Sequence, residues 1–193
     1  MLSLLLACSG SSSSSSAPQP PRSRVDAVVT VKREAKVEPP ETWCDHYAPA
    51  GERRPFVWPE LDGDQPAAGG AWTWVNAWAT WCKPCIAEMP MLVEWEEKLQ
   101  ADVGEGGLRF LSLDAGASEV TRFAEQHPDL PLGPRIADAE TMDPWLAKNG
   151  VDGAAAVLPL HFLLDQKQEI ACVYMSAVSD TDYETVKALL AAG

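Results

Sequence analysis

The residues of this sequence best suited to chemistry are two cysteines separated by two residues, Cys82 and Cys85. They follow an aromatic-rich run of strand length, residues 71–78, and they begin a stretch with helical periodicity, residues 83–100. A thiol at the first turn of a helix faces unpaired backbone N–H groups and the positive end of the helix dipole. Because these surroundings lower the thiol pKa and the second sulfur lies one turn away, the spacing predicts a redox-active pair that closes a disulfide.

The two intervening residues suit the same position. Pro84 fits the first turn of a helix, where its missing N–H is not needed, and Lys83 adds positive charge beside the sulfurs. Half of a zinc site and a merely structural disulfide are the alternative interpretations of the pair. Zinc needs four ligands, and no second pair with ligand spacing occurs among the other candidates. Those candidates are Cys8, Cys44, Cys172, His46, His127 and His161.

Glu88 lies three residues after Cys85 and four before Leu92, so the three side chains share one face of the predicted helix. An acid on an otherwise apolar face is expected to be buried or to lie at a pocket edge. Burial raises the pKa of a carboxyl group, which suits proton exchange with the second thiol. The alternative is a solvent-facing acid at the end of the first turn.

Strand and helix patterns alternate along the rest of the chain, and a hairpin with its turn at residues 165–168 comes late. This order predicts an α/β fold with a central mixed sheet flanked by helices and an antiparallel edge. The further strands are expected at 108–113, 135–137, 161–164 and 170–175, and the further helices from Ser118, over 142–149 and from about Thr181.

The N-terminal part differs in composition from the rest. Residues 5–8 resemble a bacterial lipobox, so Cys8 is a candidate lipidation site and residues 1–7 would be the remnant of a lipoprotein signal peptide. The run is uncharged and shorter than an ordinary signal, which leaves a chance cysteine as the alternative and suggests a true start further upstream. Residues 8–42 are rich in Ser and Pro and predict a disordered tether, with the folded domain at 43–193.

Composition narrows the classes of partner. The 193 residues carry a formal net charge of -13, and 46% of them are hydrophobic. A chain of this charge has no basic face for nucleic acid or for anionic lipid. No run reaches the roughly 18 apolar residues of a membrane span.

The segment Val-Asn-Ala-Trp-Ala-Thr-Trp-Cys-Lys-Pro-Cys at 75–85 resembles the active site of the thioredoxin superfamily. Its continuation Ile-Ala-Glu-Met-Pro at 86–90 is similar to the membrane-anchored periplasmic branch of TlpA-like and ResA-like proteins. Residues 56–63 and 162–165 also look like segments of that branch. The resemblance implies a thioredoxin-like three-layer fold and thiol–disulfide oxidoreductase activity.

The resemblance also implies roles for individual residues. Cys82 would be the attacking nucleophile and Cys85 the resolving thiol, with Trp81 packed beside them. Pro159 would be a cis-proline that faces the disulfide, and the backbone of Leu158 would dock the substrate. Lys83 and Pro84 would complete this substrate-binding surface, and Glu88 would keep the proton-transfer role given above.

The chain departs from the family pattern next to the expected cis-proline. The loop before Pro159 is longer than usual, and Leu160 and His161 replace small hydroxyl residues. A different substrate groove is therefore expected. His161 is interpreted as a strand residue rather than as a catalyst.

Cys44 and Cys172 form an even pair, which in an oxidising compartment suggests a second, structural disulfide. It would close a long loop worth roughly 4–5 kcal/mol on the chain-entropy model. Two unpaired buried thiols are the alternative.

These features predict a lipid-tethered periplasmic reductase that needs no metal or organic cofactor. Its partners would be a disulfide-bearing protein and a membrane electron-donor protein, and the resemblance points to cytochrome c maturation or copper-site assembly. Three alternatives stay open: a disulfide oxidase or isomerase, a thiol module that binds Cu(I), and a lipoprotein with an inactive site.

Overall fold

A mixed seven-stranded sheet forms the centre of the protein, in the order β1-β7-β6-β3-β4-β5-β2. The computed structural model describes residues 37–193. The strands are β1 (His46–Tyr47), β2 (Leu61–Asp62), β3 (Trp72–Trp78), β4 (Gly106–Ser112), β5 (Arg135–Ile136), β6 (Leu160–Leu164) and β7 (Ile170–Tyr174). The helices are α1 (Pro40–Trp43), α2 (Lys83–Val103), α3 (Ala117–Gln126), α4 (Met142–Lys148) and α5 (Tyr183–Ala191). Single 3-10 turns cover Ala139–Thr141 and Asp180–Asp182.

Strand β3 organises the core because all seven of its residues are buried. It pairs in parallel with β4 and antiparallel with β6, so it lies in the middle of the sheet. Its side chains alternate between two apolar clusters, as the twofold period of a strand requires. Trp74 and Trp78 lie in the cluster that contains α2 and α5, whereas Val75 and Ala77 lie in the cluster that contains α4. Helices therefore cover both faces, and the predicted α/β fold class is confirmed.

The late elements match the sequence-based prediction closely. Strands β6 and β7 form the predicted antiparallel hairpin. The turn between them is held by the Asp165 carboxylate, which accepts hydrogen bonds from the backbone N–H groups of Lys167 and Glu169. An Asp at this place favours a turn because its side chain satisfies nearby backbone donors.

Several boundaries differ from the prediction. The folded part begins before Trp43: the Glu38 N–H donates to Thr185 Oγ1, and α1 starts at Pro40 inside the segment predicted as a tether. Trp43 is buried and its indole N–H donates to Asp182, which ties α1 to the start of α5. Burial of one large aromatic side chain thus orders residues whose composition alone favours disorder.

Two other differences concern helix ends and short strands. The helix predicted from Ser118 begins one residue earlier, at Ala117 after its N-cap Gly116, and the Ser118 hydroxyl donates to Glu119. The two-residue strands β1 and β2 were not predicted, since such short edge strands carry no periodic pattern. The expected signal remnant 1–7, Cys8 and the tether up to residue 36 lie outside the described residues. Within residues 37–193, no helix is both long enough and apolar enough to cross a membrane.

Candidate active site

Cys82 and Cys85 are joined by a disulfide at the start of α2. Cys82 is the N-cap of this helix, and its sulfur accepts a hydrogen bond from the Cys85 backbone N–H at 3.3 Å. Cys85 is fully buried, whereas Cys82 keeps 4% of its surface exposed. The Cys82 side chain is therefore nearer to solvent than that of Cys85, and its sulfur lies at the positive end of the helix dipole.

The turn that leads from β3 into α2 is fixed by a buried aspartate that sequence reasoning did not single out. The Asp114 carboxylate accepts hydrogen bonds from the backbone N–H and the hydroxyl of Thr80, and from the hydroxyl of Ser112. Asp114 lies just beyond β4, the parallel neighbour of β3. The position of an acid directly after a buried strand was the available signal, because such a side chain reaches the loop at the same edge of the sheet.

The residues around the cysteine pair form an exposed rim. Lys83 and Pro84 are both exposed. Trp81 is 70% exposed, so its ring is not buried against the cysteines and instead lines a groove at the surface. Together with the groove that it lines, this exposed indole forms an apolar patch beside the cysteine pair.

The groove beside Trp81 has a volume of about 350 Å³ and is mainly apolar. The long loop before Pro159 forms one wall of the groove, and the Val157 side chain in this loop is 54% exposed. The other walls come from α4 and from the end of β4. Principal lining residues are Trp81, Leu113, Met142, Leu146, Val157 and Leu158.

Pro159 lies at the same edge of the sheet as the cysteine pair. Strand β6 pairs with β3 so that Leu160 faces Ala77, which places Pro159 level with the end of β3. The peptide bond between Leu158 and Pro159 is cis. Leu158 is partly buried and packs against the apolar cluster that contains both cysteines.

Glu88 is buried, with 4% of its surface exposed, one turn after Cys85. Its Oε1 accepts a hydrogen bond of 2.8 Å from Asn76 Nδ2, and its Oε2 accepts one of 2.9 Å from the Val178 N–H. Burial raises the pKa of the Glu88 carboxyl from 4.5 to about 7, although both hydrogen bonds act in the opposite direction. The solvent-facing alternative does not describe this side chain, and a carboxyl with such a pKa can exchange protons near neutral pH.

His161 lies in β6, as predicted, but its surroundings were not predicted. The ring is completely buried, and its Nε2 lies 3.1 Å from the Ser176 carbonyl oxygen and 3.4 Å from Glu88 Oε1. Desolvation lowers the pKa of His161 to about 3. No pattern in the sequence signals these contacts, because they depend on the sheet register, which sets His161 opposite Asn76.

Cys44 and Cys172 are also joined by a disulfide, which links the segment after α1 to β7. The pair is buried, and Trp43 stacks on Tyr174 beside it at a ring-centroid distance of 4.0 Å. The alternative of two unpaired thiols does not match this arrangement. Within residues 37–193, no group of three or more His, Cys, Asp and Glu side chains is arranged to hold a metal ion.

A mixed sheet of this order with a Cys-x-x-Cys disulfide at a helix start, and a cis-proline at the same edge, defines a thioredoxin-like thiol–disulfide oxidoreductase. The comparisons with known proteins agree with this class, and the chain is similar to thioredoxin-like proteins. The chain is 26% identical over 140 residues to the thioredoxin-like protein YneN of Bacillus subtilis. This match covers 69% of the chain and 76% of YneN. No family model matches the chain.

Other relatives carry the name thiol-disulfide oxidoreductase ResA. The ResA of Halalkalibacterium halodurans is 27% identical over 154 residues, which covers 74% of this chain and 78% of that protein. The ResA of Bacillus cereus is 34% identical over 77 residues, but the match spans only 37% of this chain and 42% of that relative.

Solved structures agree on the fold. A secreted thiol-disulfide isomerase from Corynebacterium glutamicum superposes with a TM-score of 0.56 at 22% identity, covering 75% of this chain and 90% of that one. A DsbF homologue from Corynebacterium diphtheriae superposes with a TM-score of 0.55 at 24% identity, covering 73% of this chain and 89% of that one.

Proposed function

We propose that the protein reduces disulfides in partner proteins outside the cytoplasm, with Cys82 as nucleophile, Cys85 as resolving thiol and Glu88 as proton acceptor. The observation that carries this proposal is the buried carboxyl of Glu88, placed one turn after the buried cysteine of a helix-start pair. A carboxyl that is half ionised near neutral pH can take a proton from a thiol and return it in the next cycle.

The reaction starts from the dithiol form. The Cys82 thiolate attacks one sulfur of the partner disulfide, so a mixed disulfide forms and the other partner sulfur leaves as a thiolate. Cys85 then passes its proton to Glu88 and attacks Cys82 Sγ, which closes the Cys82–Cys85 bond and releases the second partner thiolate. Two electrons move from the pair to the partner, and an external dithiol donor restores the reduced form.

The substrate would bind along the rim formed by Trp81, Lys83, Pro84, Leu158 and Pro159. Extended peptides pair with free backbone groups at such an edge, which is a role for the Leu158 backbone. The adjoining groove is apolar and about 350 Å³ in volume, enough for a large side chain. The proposed substrates therefore carry an apolar residue next to the cysteine that is attacked.

A location outside the cytoplasm is supported by the buried Cys44–Cys172 disulfide, because structural disulfides persist in oxidising compartments. We further propose that Cys8 carries a lipid and that the segment from Cys8 to about residue 37 serves as a tether. A membrane electron-donor protein would then recharge the site, and cytochromes c or copper proteins would be the substrates.

The order of the two thiol steps can be tested with peptide disulfides and reduced variants. C85A is expected to stall as a covalent adduct through Cys82, C82A is expected to form none, and the wild type is expected to release reduced peptide. E88Q should accumulate the mixed disulfide at pH 7, whereas E97Q, which changes an exposed acid on the same helix, should not. Equal resolution rates in E88Q and E97Q would remove Glu88 from the mechanism.

Substrate preference and direction need separate measurements. A peptide with Leu beside its disulfide should react ~10-fold faster than one with Asp, since burial of a Leu side chain is worth about 1.5–3 kcal/mol, and W81A should lose this preference.

The redox potential should lie below that of the glutathione pool. A value near about −120 mV, typical of strong oxidants, would contradict the reductase direction.

A further inference from the structure

The groove beside Trp81 contains one ionisable side chain, that of Asp143 in the first turn of α4. Asp143 is exposed, and within residues 37–193 no lysine, arginine or histidine forms an ion pair with it. All the other side chains that line the groove are uncharged, and most of them are apolar. A carboxylate in this place can therefore accept charge-assisted hydrogen bonds from a cationic group that enters the groove.

The long loop before Pro159 lies directly against this carboxylate. Gly153 of the loop lines the same groove, and a Cβ at this position would lie 2.7 Å from Asp143 Oδ1. The loop and α4 can approach each other this closely because residue 153 has no side chain. The segment in which the sequence departs from the family pattern thus builds a groove wall with a carboxylate beside it.

Trp81 supplies a second feature that attracts a cation. Its indole is 70% exposed and lines the groove that contains Asp143. The face of a tryptophan ring attracts ammonium and guanidinium groups. Long basic side chains also bury their methylene stems on apolar surface while the charged end stays in water. An apolar groove of about 350 Å³ with an exposed indole and a carboxylate therefore fits a side chain of this kind.

We propose that the groove binds an arginine side chain of the partner protein, next to the cysteine that is attacked. The stem would lie on Leu146 and Val157, and the guanidinium would contact the Trp81 ring and the Asp143 carboxylate. Arginine fits better than lysine, because its planar group both stacks on aromatic rings and pairs with a carboxylate through two hydrogen bonds. The formal net charge of -13 also favours the approach of a basic partner.

This inference rests on the proposed function and narrows its substrate class. The proposed function places the apolar part of a substrate side chain in the groove, and the inference adds a positive charge at the end of that side chain. Asp143 would then be a specificity-determining residue that takes no part in the thiol chemistry.

The test measures binding apart from chemistry. The oxidised full-length protein is titrated with the acetylated and amidated peptide Ala-Arg-Ser-Arg-Ala, in which Ser stands for the attacked cysteine. NMR follows the indole N–H signal of Trp81, assigned through W81F. The matched peptide carries citrulline in place of both arginines, which keeps the shape and removes the charge. We expect the arginine peptide to bind ~5-fold more tightly, the combined effect of an exposed ion pair and an exposed cation–π contact.

Two variants assign this preference to the carboxylate. D143N should reduce the ratio of the two affinities to ~2-fold, because only the contact with the Trp81 ring remains. E140Q removes an exposed acid three residues earlier that does not line the groove, so it should keep the wild-type ratio. A wild-type ratio near 1, no binding of either peptide, or equal ratios in D143N and E140Q would each overturn the inference.

The corresponding peptide disulfides, with Cys in place of Ser, test the proposed function separately in the reduced protein. Reduction of both peptides at equal rates, together with equal affinities, removes the arginine site and leaves the reductase proposal in place. Preferential binding of the arginine peptide without any reduction supports the site and contradicts the reductase.

Discussion

The buried carboxyl of Glu88 couples the chemistry of the site to the stability of the fold. Its pKa in the folded protein is about 7, above the 4.5 of an unperturbed glutamate. Between these two values the folded state binds more protons than the unfolded state, so this group makes the free energy of unfolding fall as pH rises. The cost of ionising Glu88 is absent below pH 4.5 and fully developed above about pH 7.

We therefore expect E88Q to gain stability relative to the wild type as pH rises through this window. The difference in unfolding free energy should change by ~3 kcal/mol between pH 4.5 and 7.5, at about 1.4 kcal/mol for each pKa unit. Denaturant unfolding of the oxidised proteins at several pH values measures it. E97Q is the control, and a wild-type minus E88Q difference that does not vary with pH would contradict the burial of an ionisable Glu88.

His161 has the opposite effect on how the free energy of unfolding changes with pH. Its pKa is lowered from 6.5 to about 3 by desolvation, so between these values the unfolded state binds more protons and stability increases with pH. In the wild type the two slopes oppose each other between pH 4.5 and 6.5. E88Q should unmask the histidine slope, with stability that rises from pH 3 to 6.5. A further change to H161Q in that background should flatten it, and a slope that persists would assign it to another group.

At the scale of secondary structure, the pairing of β3 with β4 depends on a glycine. A Cβ at Gly106 would overlap the indole ring of Trp72, which is completely buried. At the next residue, Gly107, a Cβ would meet the end of the flexible Arg109 side chain. The two neighbouring positions therefore differ in how easily the contacted group can move.

We expect G106A to lower the free energy of unfolding by about 1–3 kcal/mol, because a closely packed indole cannot move aside without strain. G107A should cost less than ~1 kcal/mol, because a guanidinium end can rotate away. Thermal and urea unfolding of both variants give the comparison. Equal losses would show that the clash with Trp72 does not determine the effect.

Long elements were predictable from sequence for a physical reason. Strand β3, helix α2 and the β6–β7 hairpin each carry a periodic pattern or turn residues that act locally. The cysteine pair and Glu88 were predictable for the same reason, since their spacing within one helix sets their shared face.

The rest of the site depends on contacts between distant segments. Asp114 reaches Thr80 across the β3–β4 pair, and His161 reaches Glu88 from a strand 73 residues later in the chain. The ordered conformation of α1 likewise depends on the hydrogen bond from Trp43 to Asp182 and on its stack with Tyr174. Apart from the position of Asp114 directly after a buried strand, no local pattern encodes such contacts, because they depend on the register of the sheet.

At the scale of the whole molecule, the two disulfides in the described residues differ in how much of the unfolded chain they constrain. Cys82 and Cys85 are three residues apart, whereas Cys44 and Cys172 are 128 apart. The first bond closes a loop of one helical turn, so it constrains much less of the unfolded chain than the second bond does. The second joins the N-terminal segment to β7, the strand that pairs with β6.

Removal of the long-range disulfide in C44A/C172A should therefore destabilise the protein by about 5 kcal/mol, the chain-entropy value for a loop of this length. The matched variant C82A/C85A should lose only ~2 kcal/mol, because its loop spans a single helical turn. Guanidinium unfolding under non-reducing conditions measures both free energies. The Trp43–Tyr174 stack and the hydrogen bond from Glu38 should also loosen in C44A/C172A, which amide hydrogen exchange at residues 38–47 would detect. Equal losses in the two double variants would mean that the long-range bond does not anchor this segment.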